Sequence, residues 1–154
     1  HIGYKTLGIG HLCIAGVDPE YDMVVGTPVS VERVNELFEK DIKRTISDCK
    51  IVHDDFDDLP DEAQKILANM CFQMGLGRFM KFHLTHALVK KRFWDGVSRE
   101  MLDSRWAEQT PNRAQQLSQR MAALALSAFR CFMNFVMYSA LSSTRSITSS
   151  SRLS

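Results

Sequence analysis

The 154 residues are 45% hydrophobic and 24% charged, with a formal net charge of +1. That balance excludes a disordered chain and fits one ordinary domain, in one or two lobes, large enough to bury a core. The small total hides an asymmetry: residues 1–77 hold 7 Lys+Arg and 14 Asp+Glu, whereas residues 78–154 hold 12 and 4. The basic half suits an anionic polymer such as cell wall or nucleic acid; the alternative is two solvated faces of opposite sign. Four cysteines (Cys13, Cys49, Cys71 and Cys131) show no Cys-x-x-Cys spacing, so no metal site or redox pair is expected. Cys71 reads as a small core residue. A disulfide stays open, although a domain of this size does not need one.

In chain order, residues 4–12 alternate imperfectly and set β-formers among glycines, predicting a strand of a small sheet. Gly16, Pro19, Gly26 and Pro28 mark residues 15–29 as a loop or hairpin. Ser30 is an N-cap for a helix over 30–48, with Glu32 in its first turn. Val34, Leu37, Phe38, Ile42 and Ile46 form its apolar stripe. The acidic run 54–58 is a linker, Asp58 and Asp61 resemble a capping box, and Pro60 suits the first turn of a second helix. That helix buries Ile66, Leu67, Met70, Cys71 and Met74 and stops at Gly75-Leu76-Gly77.

Helices over about 80–92, with Phe82, Leu84, Ala87 and Leu88 as their apolar positions, and over 94–104 follow. Pro111 marks a break and Asn112 caps the next helix. Residues 121–141 are largely apolar, but Arg130 near their middle costs about 2.5–3.5 kcal/mol in a bilayer, which favours a buried C-terminal helix over a membrane anchor. Residues 139–154 hold 8 serines in 16 and are expected to be disordered.

Two side chains in the first strand motif invite chemistry. The Thr6 hydroxyl both donates and accepts, which suits holding a water or touching a sugar; most strand threonines are structural. His11 reads as a structural partner rather than a base, with Asp41 on the polar side of the 30–48 helix as its carboxylate. Such a pair stabilises the fold while both groups are charged. Nothing here reaches a catalytic assignment by residue chemistry alone.

Three ordered motifs carry a resemblance. Gly3-Tyr4-Lys5-Thr6-Leu7-Gly8-Ile9-Gly10-His11-Leu12 resembles the first sheet segment of phage-type lysozymes, glycoside hydrolase family 24. Asn69-Met70-Cys71-Phe72-Gln73-Met74-Gly75 resembles their central helix. Ser104-Arg105-Trp106 and Gln109-Thr110-Pro111-Asn112-Arg113-Ala114 resemble a late signature, with Arg92-Phe93-Trp94-Asp95 fitting between. The likeness covers residues 3–121. It implies an α+β, mostly helical fold in which a small antiparallel β-sheet lobe is joined by a helix to a helical lobe. The corresponding divisions are 1–50 (sheet remnant and connecting helix), 51–122 (helical lobe) and 123–154 (divergent apolar helix and Ser-rich tail).

The resemblance also implies a muramidase that cuts the β-1,4 linkage between N-acetylmuramic acid and N-acetylglucosamine in bacterial peptidoglycan. It would act without cofactor or metal, as a monomer, on neither nucleic acid nor membrane. The reaction takes two carboxyls, one protonating the glycosidic oxygen and one activating water, about 6.5–9.5 Å apart in inverting enzymes. In the family's register both fall ahead of His1, and Asp18, Glu20 and Asp22 match neither. Thr6 is the auxiliary catalytic residue. Leu12, Phe72 and Thr85 line the sugar groove, while Glu100 replaces an expected Asn. His11, Asp41 and Arg113 are structural near the site, Arg113 lacking its usual Glu partner. Trp106, Gln109 and Asn112 brace the fold.

The leading expectation is a muramidase by ancestry; the alternative is a catalytically inactive lysozyme-like glycan-binding protein or an incomplete product of a longer lysozyme gene, since both carboxyls fall before residue 1. A nucleic-acid binder is set aside for want of a recognition motif. Compartment stays open: extracellular or lysosomal for an animal enzyme of defence or digestion, host cytoplasm for a phage one.

Overall fold

The computed structural model describes residues 5–148, with side chains described to Asn134 except those of Ala128, Cys131 and Phe132. Among the described residues the architecture is α+β and mostly helical, with a two-stranded antiparallel sheet and seven α-helices. The chain divides into two units, one of His1–Asp58 with Leu67–Lys81 and one of Leu59–Ile66 with Phe82–Ser154. The division is not sequential, because the second helix begins in one unit and ends in the other.

In the first unit the expected single strand is a hairpin. β1 (Thr6–Leu7) pairs with β2 (His11–Leu12), Thr6 opposite Leu12 and Leu7 opposite His11. Three residues turn the corner, and Gly8 and Gly10 take φ of +54° and +100°, values that cost an L side chain energy. Gly8 has a second constraint, since a Cβ there would stand 2.6 Å from Val34 Cγ1. Val34 is β-branched and cannot swing aside. Gly8→Ala is therefore expected to destabilise by about 1–3 kcal/mol in urea unfolding. Gly96 offers the contrast. Its Cβ would meet Phe93 at 2.4 Å, but Phe93 is exposed and can rotate outward, and alanine is the better helix former by about 1 kcal/mol. Gly96→Ala is expected to be near neutral.

The Ser30 hydroxyl caps α1 (Val31–Val52) by accepting the Arg33 N–H at 3.2 Å. The buried positions differ in part from the apolar stripe. Leu37 is buried, but so are Thr45 and Cys49, and Ile46 is exposed. Thr45 enters the core because its hydroxyl is satisfied within the helix, donating to the Asp41 carbonyl at 2.8 Å. Ile66, Leu67, Met70 and Cys71 of α2 (Asp61–Met74) are fully or almost fully buried, as their spacing predicts. Gly75, at φ +76°, ends this helix, and the single turn α3 (Leu76–Phe79) follows. Phe38 meets Phe72 edge-on, with ring centroids 6.2 Å apart. Cys49 and Cys71 are free thiols in side-chain contact; the neighbouring Cys71 and burial both push the Cys49 thiol above its ordinary pKa.

The second unit holds α4 (His83–Lys90), α5 (Trp94–Leu102), α6 (Arg105–Gln109) and α7 (Pro111–Thr148). Its core includes Val89, Val97, Met101, Ala114, Leu117 and Met121. Leu84 and Ala87 are exposed rather than inward, because the inward line of α4 runs through Thr85 and Val89, four residues apart. Arg92 closes this helix at φ +57°, with Arg92 N–H donating to Val89 O and Phe93 N–H to Leu88 O, a Schellman ending built without glycine. Ser104 caps the unexpected short helix α6, accepting from Ala107 N–H at 3.2 Å.

The break expected at Pro111 falls at Thr110, between α6 and α7, and Asn112 lies inside α7 rather than capping it. Pro111 is the first residue of α7, where a missing N–H is harmless. Buried Ser118 donates to the Ser98 carbonyl at 2.9 Å, and Arg120 pairs with Glu62 at 2.5 Å. The expected burial of the later part of α7 is not found, since Leu126, Phe129 and Met133 are exposed. Backbone helix continues through 139–148, where the serine content predicts none. Residues 149–154 lie outside the described residues.

Candidate functional site

Strand alternation decides which side chains the hairpin offers. Thr6 and Leu12 are directly opposite each other on one face, and both are exposed, Leu12 by 47%. Leu7 and His11 take the other face, and His11 is buried. The hairpin thus presents a hydroxyl beside an apolar side chain outward while an imidazole anchors it inward.

The anchor has two carboxylates. His11 Nδ1 lies 2.7 Å from Asp41 Oδ2 on α1, the expected pair. Its Nε2 faces Asp18 Oδ2 at 3.4 Å without hydrogen-bond geometry, so that contact is electrostatic. Asp18 also accepts the Ile14 N–H at 2.8 Å. That hydrogen bond, with the imidazole beside it, holds the Asp18 carboxyl below the usual range despite its burial.

The loop after β2 folds over the Thr6 side. Glu20 accepts from Arg33 Nε at 2.7 Å and from a second guanidinium nitrogen at 3.3 Å. Lys5 Nζ donates to the Tyr21 carbonyl at 2.5 Å and sits 5.2 Å from the centre of the Tyr21 ring. Between hairpin and loop lies an open pocket of about 270 Å³, whose lining includes Thr6, Lys5, Cys13, Glu20 and Val25. Sequence reasoning left Glu20 aside, and its partner Arg33, thirteen residues on, gave no local signal. The Arg33 guanidinium holds the Glu20 carboxyl below its ordinary pKa.

This chemistry bears on catalysis. A general acid for glycoside cleavage needs a raised pKa, yet Glu20 and Asp18 are both lowered. Among the described residues, Glu20 is the only carboxylate lining the pocket with Thr6. Phe72, half-buried on α2, stands near the hairpin: its ring edge is 3.6 Å from where a Cβ on Gly10 would lie. Thr85 belongs to the second unit and is 1% exposed, on the inward line of α4 with Val89. Arg113, in the first turn of α7, is exposed and has no ion-pair partner among the described residues.

The family model for phage lysozyme matches residues 1–123. The chain belongs to the phage lysozyme family. It is 27% identical over 146 residues to a probable T4-type lysozyme of Dictyostelium discoideum, covering 83% of this chain and 86% of that protein. It is 31% identical over 120 residues to the peptidoglycan hydrolase gp36 of Pseudomonas phage phiKMV, covering 78% of this chain but 13% of the phage protein. Similarity to the pre-baseplate central spike protein Gp5 of Enterobacteria phage T4 is 30% over 135 residues, 75% of this chain and 23% of that one. The phage lysozyme match takes in the hairpin, the His11 anchor and α1–α6, and it ends inside α7.

Proposed function

We propose that this chain is a lysozyme domain that binds bacterial peptidoglycan and serves hydrolysis of the linkage between N-acetylmuramic acid and N-acetylglucosamine, as a monomer. Family membership carries the reading, and relatives named T4-type lysozyme and peptidoglycan hydrolase support it. The outward pair Thr6 and Leu12 is the feature that suits the role. The Thr6 hydroxyl orients the hydrolytic water, while Leu12 and Phe72 flank the sugar with apolar surface. His11 and Asp41 position the strand.

The carboxyl pair is the exacting requirement. Glu20, which lines the pocket with Thr6, is already committed to Arg33, and Asp18, beside the His11 anchor, to Ile14 and His11. Hydrolysis therefore calls for a protonated carboxyl and a carboxylate beside Thr6 other than these two. Without that pair, the 154 residues bind glycan and leave it intact.

Turbidity of bacterial walls tests this. The 154-residue chain is expected to bind walls without clearing them, and a version extended by a segment bearing both carboxyls is expected to clear them. In the extended protein Thr6→Ala should slow clearing on the order of 10²-fold, the cost of a misplaced reactant. Clearing by the 154 residues alone would refute the carboxyl argument, and failure of both versions to bind walls would refute the reading.

A further inference from the structure

We propose that the part of α7 beyond Met121 is a cationic amphipathic segment that lies on an anionic lipid surface. Met121 is the last fully buried residue described on this helix. Past it, Leu126 is 69% exposed, Phe129 65% and Met133 41%. Their spacing of three and four residues puts them on one side of the helix. A different line, Arg113, Arg120, Ser127 and Asn134, recurs every seven residues and is polar throughout. Arg130 is exposed beside the apolar line, where its long stem permits the guanidinium to reach a headgroup. Two faces thus coexist on a helix whose backbone runs on to Thr148.

Charge decides the occupant. Residues 122–154 contain three arginines (Arg130, Arg145 and Arg152) and no Asp or Glu. A second copy of this face would bring arginines together with no carboxylate from the same segment to offset them. An anionic lipid surface supplies the missing charge, each arginine near it giving roughly a fivefold gain in partition. Among the described residues no helix is long and apolar enough to cross a membrane. The segment therefore rests in the interface with its apolar side chains down. The sequence expectation of no membrane contact rested on the cost of burying Arg130 in a spanning helix, a cost that an interfacial helix does not meet. The proposal is independent of glycan hydrolysis, since its test contains no peptidoglycan.

The test is co-sedimentation of the full 154-residue chain with vesicles of phosphatidylglycerol and phosphatidylcholine in equal parts, against phosphatidylcholine alone. The expected result is at least a roughly tenfold preference for the anionic vesicles, weakening as salt screens the surface. The triple variant Leu126→Ser, Phe129→Ser, Met133→Ser should lose roughly tenfold or more of that binding. Its melting temperature should be unchanged, because the three side chains are already exposed. Arg130→Gln should lose roughly fivefold. Equal binding to both vesicle types overturns the proposal, as does unchanged binding by the triple variant. Association of the chain with itself through this face, abolished by the triple variant while vesicles bind nothing, also overturns it in favour of a second copy.

Discussion

His11→Ala is expected to lower stability by about 3 kcal/mol at neutral pH, read as a shift of the urea midpoint. Removing the imidazole leaves the Asp18 and Asp41 carboxylates without their shared partner, and a buried polar group left unsatisfied costs about 1–3 kcal/mol, more when it is charged. A value near the top of that range applies because the Asp18 side chain keeps 3% of its surface in water, while the Asp41 side chain keeps 23%. His11→Asn keeps an N–H near the Nδ1 position and is expected to recover part of the loss through Asp41. The pH dependence follows from Asp18, whose pKa is lowered on folding, first by the Ile14 N–H. A lowered carboxyl contributes stability that is fully present above its unfolded value, about pH 3.9. That stability is lost as pH falls from there through the lower folded value. The wild-type chain should lose it across that acid window. His11→Ala should lose less there, keeping only the share that Ile14 supplies. Equal midpoints for His11→Ala and wild type at pH 7 would discard this account of the anchor.

Phe79→Ala is expected to cost more, about 3–5 kcal/mol, the range for deleting a buried aromatic ring. Phe79 has no exposed surface and packs edge-on against the buried His53, ring centroids 6.4 Å apart. Removing the ring leaves a cavity that the single turn α3 is too short to fill by shifting along its axis. In a thermal melt the loss corresponds to a fall of roughly 6–20 °C for a domain of this size. Phe79→Leu, which retains most of the volume, should lose about 1 kcal/mol. A melting temperature for Phe79→Ala within about 2 °C of wild type would show that this core is not where stability is concentrated.

Long elements with good end signals were legible from the sequence. Ser30 announced α1, Pro60 and Gly75 bracketed α2, and the three- and four-residue spacing picked out Ile66, Leu67, Met70 and Cys71. His11 and Asp41 were paired on residue chemistry, and the coordinates place them 2.7 Å apart. Short elements were harder to read. Over the eight residues of α4 two faces compete, and the polar Thr85 hid the buried one. The hairpin was read as one strand because its three-residue turn, Gly8-Ile9-Gly10, falls inside the alternation. At the site, the committed state of Glu20 was invisible, because it rests on an arginine that only folding brings near. The later turns of α7 were read as buried from composition alone, which gives apolarity without saying what would cover it.

The turn at Gly8-Ile9-Gly10 has a consequence for how this protein tolerates change. Working surface and tether occupy neighbouring positions on one ribbon, Leu12 looking out and His11 looking in. Because the pleat has period two, sliding one strand by a single residue exchanges them. An added residue in that corner would turn an imidazole toward solvent and press a leucine against Asp18 and Asp41. The proposed glycan contact and local folding would then fail together, so that neither can be adjusted here without the other.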